Sequence, residues 1–256
     1  MLSFVGLGLY DERSITIQGK EAIATADRVV GEFYTSRLTG VGIDDLEAYH
    51  DTRIDVLDRQ DIEVDPSNLL EDAASSHVVF LTGGDPMVST THVDLRLRAM
   101  ETGIDTRVIH APSISTAAAG LTGLQNYRFG KATTIPFPGT FSETPQSILD
   151  TIRDNQDRDL HTLLYLDLDE EGERSLTASR AAACLSDAFG DALGVVVARA
   201  GSDDPLVIAD RIAALAEGEF GDGLHVLVMP ASLHAIEADA LRSIANAPEE
   251  LLGTTK

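Results

Sequence analysis

The sequence predicts an α/β fold with two α/β domains of largely parallel or mixed sheets. Three observations carry that expectation. Short apolar runs alternate with segments of helical period, glycines sit at the ends of the runs, and the texture of the chain changes past Phe129. In the first half, LSFVGLG, RVVGEF, HVVFLT and TRVIHAP read as buried strands, and GKEAIATA and HVDLRLRAM as the helices between them. A Pro/Thr/Ser-rich connection, TTIPFPGTFSETPQS, then leads to a second strand set, HTLLYLDL, GVVVARAG and LHVLVMP, with helical patterns at Ser175 to Phe189 and Ala209 to Glu217. The expected domains are residues 1–125, carrying the glycine loops, and 126–256.

Composition removes several function classes. At 256 residues with 43% hydrophobic content the chain is of ordinary globular make-up, and no apolar run reaches the roughly 18 residues of a membrane span. No secretory signal pattern opens the chain, so the expected location is cytoplasmic. The one cysteine, Cys184, falls on the apolar face of a helix pattern and reads as a buried thiol. Forty-two acidic residues against 19 basic ones give a formal net charge of -23, and only Lys20, Lys131 and Lys256 are lysines. Such a surface repels itself in dilute buffer and is relieved by molar salt, where the Debye length falls to about 3 Å, so a halophilic protein is expected. The same charge argues against nucleic-acid binding.

The glycine motifs do not hold phosphates. In FVGLGLYDE the pair Gly6 and Gly8 is followed by Asp11 where a dinucleotide fingerprint needs a third small residue, and the Asp11–Glu12 carboxylates oppose a pyrophosphate. Gly130-Lys131 lacks the upstream glycine of a P-loop, and no histidine pair has zinc-site spacing. What remains are two loops at expected strand ends, LTGGDPMVSTTH (Leu81 to His92) and HAPSISTAAAG (His110 to Gly120), where open parallel sheets place their ligands. Asp85 supplies a charge or an acceptor there, or simply caps the turn. His92 and His110 read as hydrogen-bonded structural residues, and Asp11 and Glu12 as candidate proton acceptors or solvated loop charge.

Eight segments in register, FVGLGLYDE, GEFYTS, GGDPMVSTTH, HAPSISTAAAGLTGL, FGKATTIPF, HTLLYLDL, ARAGS and HVLVMPASLHAIEADAL, resemble the diphthine synthase family of the tetrapyrrole methylase fold, in its archaeal type. The resemblance covers nearly the whole chain. It implies a cofactor held in the cleft between two domains, with S-adenosylmethionine as methyl donor. The implied substrate is the amino group of the 3-amino-3-carboxypropyl histidine of elongation factor 2, methylated to diphthine within diphthamide biosynthesis. It also implies a homodimer. Carried over position by position, the cofactor contacts are Leu9, Asp85, Val88, Ser113, Ile114, Leu166, Ala200 and His225, with no catalytic residue and no metal. Arg37 and Arg128 are candidates for the substrate carboxylate, with surface ion pairing as the competing role. The alternative is methylation of a corrinoid or porphyrin precursor on the same fold.

Overall fold

A computed structural model describes residues 1–137, 144–168 and 174–253. Much of the Pro/Thr/Ser-rich connection and part of the acidic segment after β-strand HTLLYLDL lie outside those residues. The chain divides into two compact units, Met1–Ile114 and the part from Ser115 onward.

The first unit runs β1 (Leu2–Gly6), α1 (Ile17–Ala24), β2 (Arg28–Glu32), α2 (Ile43–His50), β3 (Asp55–Val56), α3 (Ser67–Ser75), β4 (Val78–Thr82), α4 (His92–Glu101) and β5 (Thr106–Ile109). Its sheet is wholly parallel in the order β3-β2-β4-β1-β5. Both faces are covered, which is why β1, β2 and β4 read as near-continuous apolar runs rather than alternations. Val5, Val79 and Leu81 pack with Ala22, Ile23 and Leu46 from α1 and α2. Leu2, Phe4, Val78 and Phe80 pack on the opposite face with Leu69, Ala73, Leu95 and Ala99 from α3 and α4. Each fully buried Val, Leu, Ile or Phe among them contributes about 1.5–3 kcal/mol. Thr16 caps α1 by accepting from Gly19 N at 3.0 Å, which fixes where the first helix begins.

The second unit runs α5 (Ile114–Thr122), β6 (Thr133–Ile135), α6 (Gln146–Asp157), β7 (Thr162–Leu166), α7 (Ala178–Phe189), β8 (Leu193–Ala198), β9 (Leu206–Arg211), α8 (Ile212–Ala216), β10 (His225–Met229) and α9 (Ala235–Ala245). Its sheet is mixed, ordered β6-β7-β10-β8-β9, with only β6 and β7 parallel. The core on one face joins Ile148 and Ile152 of α6, Ala181, Ala182 and Leu185 of α7, and Ile212 and Leu215 of α8 to Leu164, Val196, Leu227 and Met229.

Three elements differ from the sequence reading. β3 is a two-residue edge strand, too short to show a pattern. β6 lies inside the segment read as connection. Residues 206–211, half of which read as helix, are strand β9: Val207 and Ala209 alternate inward with period two, and helix starts only at Ile212. Cys184 is half-buried and packs against the second core. Among the described residues no helix is long and apolar enough to cross a membrane.

Candidate functional site

The site in the first unit follows from its topology. From β1 the chain turns by α1 on one face toward β2, whereas from neighbouring β4 it turns by α4 on the other face toward β5. Loops leaving adjacent strand ends in opposite directions open a crevice at the carboxyl edge, the place where doubly wound sheets bind ligands.

Main chain lines this crevice. Leu7 N donates to Thr82 O at 2.9 Å, Gly8 N to Gly84 O at 3.1 Å, and Gly84 N to Gly8 O at 2.7 Å. The glycines are there because backbone comes too close for side chains. A Cβ on Gly6 would lie 2.5 Å from Gly84 O and 2.7 Å from the Ala111 Cβ. Gly84 is different: its φ of +68° suits glycine, and a Cβ there would meet nothing within 4 Å, so its backbone borders open space. Gly6 therefore lets strand-end loops touch, whereas a Cβ on Gly8 would lie 2.5 Å from the Ser14 Cβ within its own loop.

Asp85 is buried, and its carboxylate is heavily engaged. Oδ1 accepts from Met87 N at 3.0 Å; Oδ2 accepts from His110 Nδ1 at 2.8 Å and Ala111 N at 3.2 Å. It braces the loop after β4 against the loop after β5. Leu9, Asp85, Val88, Ser113 and Ile114 thus gather at one edge, Ser113 being buried and Ile114 opening α5. Asp11 is committed elsewhere, since it caps a short turn by accepting from Arg13 N at 3.0 Å and pairs with that guanidinium at 2.7 Å.

In the second unit Leu166 ends β7, His225 begins β10 and Ala200 follows β8. The register pairs Val226 with Tyr165 and His225 with Ala198, so all three share one edge of that sheet. His225 Nδ1 accepts from Ala178 N at 3.1 Å, which leaves the neutral ring its proton on Nε2. Burial pushes the His225 pKa down.

Arg128 does not wait for a substrate. It is buried, forms a direct pair with Glu237 and lies 2.9 Å from Asp159. The sequence reading missed this because its partners are 31 and 109 residues away. It also passed over Glu32 and His92 as a pair; no local pattern signals a contact between the end of β2 and the start of α4.

Comparison with known proteins places this arrangement. Residues 1–216 match the Tetrapyrrole (Corrin/Porphyrin) Methylases. A diphthine synthase of Halorubrum lacusprofundi is 58% identical, covering 98% of this chain and 99% of its own. One of Methanococcoides burtonii is 48% identical over 98% of both chains. A crystal structure of diphthine synthase superposes with a TM-score of 0.92 at 42% identity, covering 98% of each chain. The chain belongs to the tetrapyrrole methylase family, among its diphthine synthases.

Proposed function

We propose that this protein transfers methyl groups from S-adenosylmethionine to the amino group of the 3-amino-3-carboxypropyl histidine of elongation factor 2, giving diphthine, and that it works as a cytoplasmic homodimer. Full-length similarity to diphthine synthases is the observation that carries this reading. The crevice chemistry agrees with it. Its edge offers main-chain donors and acceptors and open space beside Gly84, without the glycine pattern of a phosphate loop, which suits a ligand that has no phosphate.

The contacts we assign to the donor are Leu9, Asp85, Val88, Ser113 and Ile114 in the first unit and Leu166, Ala200 and His225 in the second. When bound, S-adenosylmethionine supplies a methyl group already activated by its sulfonium. The chain's own task is then to hold, orient and desolvate, and orientation alone is worth roughly 7–11 kcal/mol of barrier. No side chain is assigned a covalent or proton-abstracting role. Asp85 acts by fixing two loops, and its buried carboxylate faces His110 and the Ala111 amide.

Mass spectrometry of elongation factor 2 incubated with enzyme and S-adenosylmethionine tests the reading. Increments of one methyl group on factor bearing the extended histidine, and none on unextended factor, are expected. Equal incorporation into both, or incorporation only into a porphyrin or corrinoid precursor, overturns it.

A further inference from the structure

Glu32 ends β2 with its side chain fully buried. Its carboxylate accepts from Thr82 Oγ1 at 2.7 Å, from Thr35 N at 3.0 Å and from the Thr35 hydroxyl. His92, also fully buried at the start of α4, places Nε2 3.3 Å from Glu32 Oε1. That separation is long for a hydrogen bond, and Nε2 has no other partner, so the contact is one of charge and proton position.

The ring's other nitrogen decides the proton. His92 Nδ1 lies 3.1 Å from the Pro86 carbonyl, which can only accept, so Nδ1 carries a hydrogen. A neutral ring would then aim the Nε2 lone pair at a carboxylate already taking three donors. Among the described residues His92 is a basic group seen within ion-pair distance of this buried carboxylate, which needs a charged or hydrogen-bonding partner to stay ionised. Glu63 and Asp94 join His92, Thr91, Ile62 and Leu95 in lining a pocket of about 240 Å³. Tyr34 donates toward Glu63 at 3.4 Å, while Arg59 and Arg98 pair outward with Glu63 and Asp94. Burial tends to raise the Glu32 carboxyl, but the neighbouring His92 ring and the bonds from Thr35 and Thr82 outweigh it and hold it below the usual carboxylate range.

We infer that His92 is held as an imidazolium against the Glu32 carboxylate, and that Glu32, acting through His92, is a positioning residue for the loop that carries Asp85 and Val88. The path is short: Glu32 fixes the ring, the ring fixes the Pro86 carbonyl, and Pro86 sits between the two residues assigned to the methyl donor. Packing reinforces it, because a Cβ on Gly83 would lie 3.0 Å from Ser36 Oγ, so the loop is seated directly on the turn that follows Glu32. This role rests on the donor site assigned above.

Nitrogen-15 NMR of the imidazole rings at pH 7, with titration calorimetry using S-adenosylmethionine, tests it. Expected are two protonated ring nitrogens on His92 in the wild type and one in Glu32→Gln. In that variant donor affinity should fall about ten- to hundredfold, while kcat at saturating donor stays within about twofold. His92→Gln, which keeps a neutral donor but no charge, should weaken donor binding similarly. An unprotonated Nε2 in the wild type, or unchanged affinity in either folded variant, overturns the inference. A wild-type protein that fails to bind the donor instead overturns the functional reading, while the ring-nitrogen spectrum still decides the charge pair by itself.

Discussion

Each unit buries one glutamate against one histidine, and the two pairs are wired differently. In the second unit His161 Nδ1 accepts from Ala231 N at 3.0 Å, so its proton sits on Nε2 and is donated to Glu237 at 3.1 Å. That ring is neutral, and burial pushes its pKa down. The charge on Glu237 is met by Arg128, with Gln125 N and His234 N donating at 2.9 and 2.8 Å. In the first unit a carbonyl replaces the amide at the far ring nitrogen, and the basic group seen against Glu32 is His92 itself. The backbone group at the far ring nitrogen and the guanidinium of Arg128 together distinguish the neutral clamp from the charge pair. The clamp ties α9 to the turn at Gln125–Arg128, whereas the charge pair stands beside the loops of the candidate site.

The largest effect that separates the two is expected from Glu237→Ala. It strands a buried guanidinium, so a loss of about 3–5 kcal/mol is expected in denaturant unfolding. A loss below about 1 kcal/mol in that measurement would mean that solvent or Asp159 compensates Arg128, and the clamp would lose its status. Next comes Asp85→Ala, which removes the brace between two loops. Donor affinity should fall by about 1.5–3 kcal/mol in calorimetry, and a folded variant with unchanged affinity removes Asp85 from the site.

Acid sharpens the contrast. His50, His161 and His225 all have pKa values depressed by burial in the fold, so each stays neutral while its unfolded counterpart takes up a proton near pH 6.5. Stability should therefore fall as pH drops below about 6.5, with each histidine contributing up to about 1.4 kcal/mol per pH unit until its folded pKa is reached. Glu32 and Glu237 are also depressed, and their contribution, full above about pH 4.3, is lost as pH falls through their folded values. Unfolding free energies of wild type and His161→Gln between pH 7 and 5 check this, and equal slopes would contradict a neutral His161. The smallest effect concerns salt. With a net charge of -23, melting temperature should rise toward molar salt, yet the cost of Glu237→Ala should barely change, because screening reaches exposed charges and not this pair. A flat melting curve, or a cost that shrinks with salt, would count against that division.

The frame of the molecule was legible wherever burial is two-sided. β1, β2 and β4 appear as apolar runs because helices cover both faces of their sheet, and the glycines at or near their ends marked the candidate edge. β9 was not legible, since its last residues, Ala209–Arg211, run directly into the Ala-rich α8 and alternation over six residues is hidden by that helix-forming composition. Gly6 and Gly8 were readable as positions where a side chain has no room. The wiring of His92 was not, because it depends on which backbone group meets a ring nitrogen, and sequence spacing carries no trace of that. For Arg128 an ion pair was the competing reading to a substrate carboxylate, but its burial was not legible, because its partners arrive from the turn after α6 and from the start of α9.

The reciprocal bonds between Gly8 and Gly84 carry a kinetic consequence. Both amides sit in loops, where deuterium exchange is ordinarily fast, yet each is tied to the other's carbonyl. Neither can exchange without freeing both. Their exchange should be slow for loop amides and matched in rate, so that the turn after β1 and the turn after β4 open as one unit.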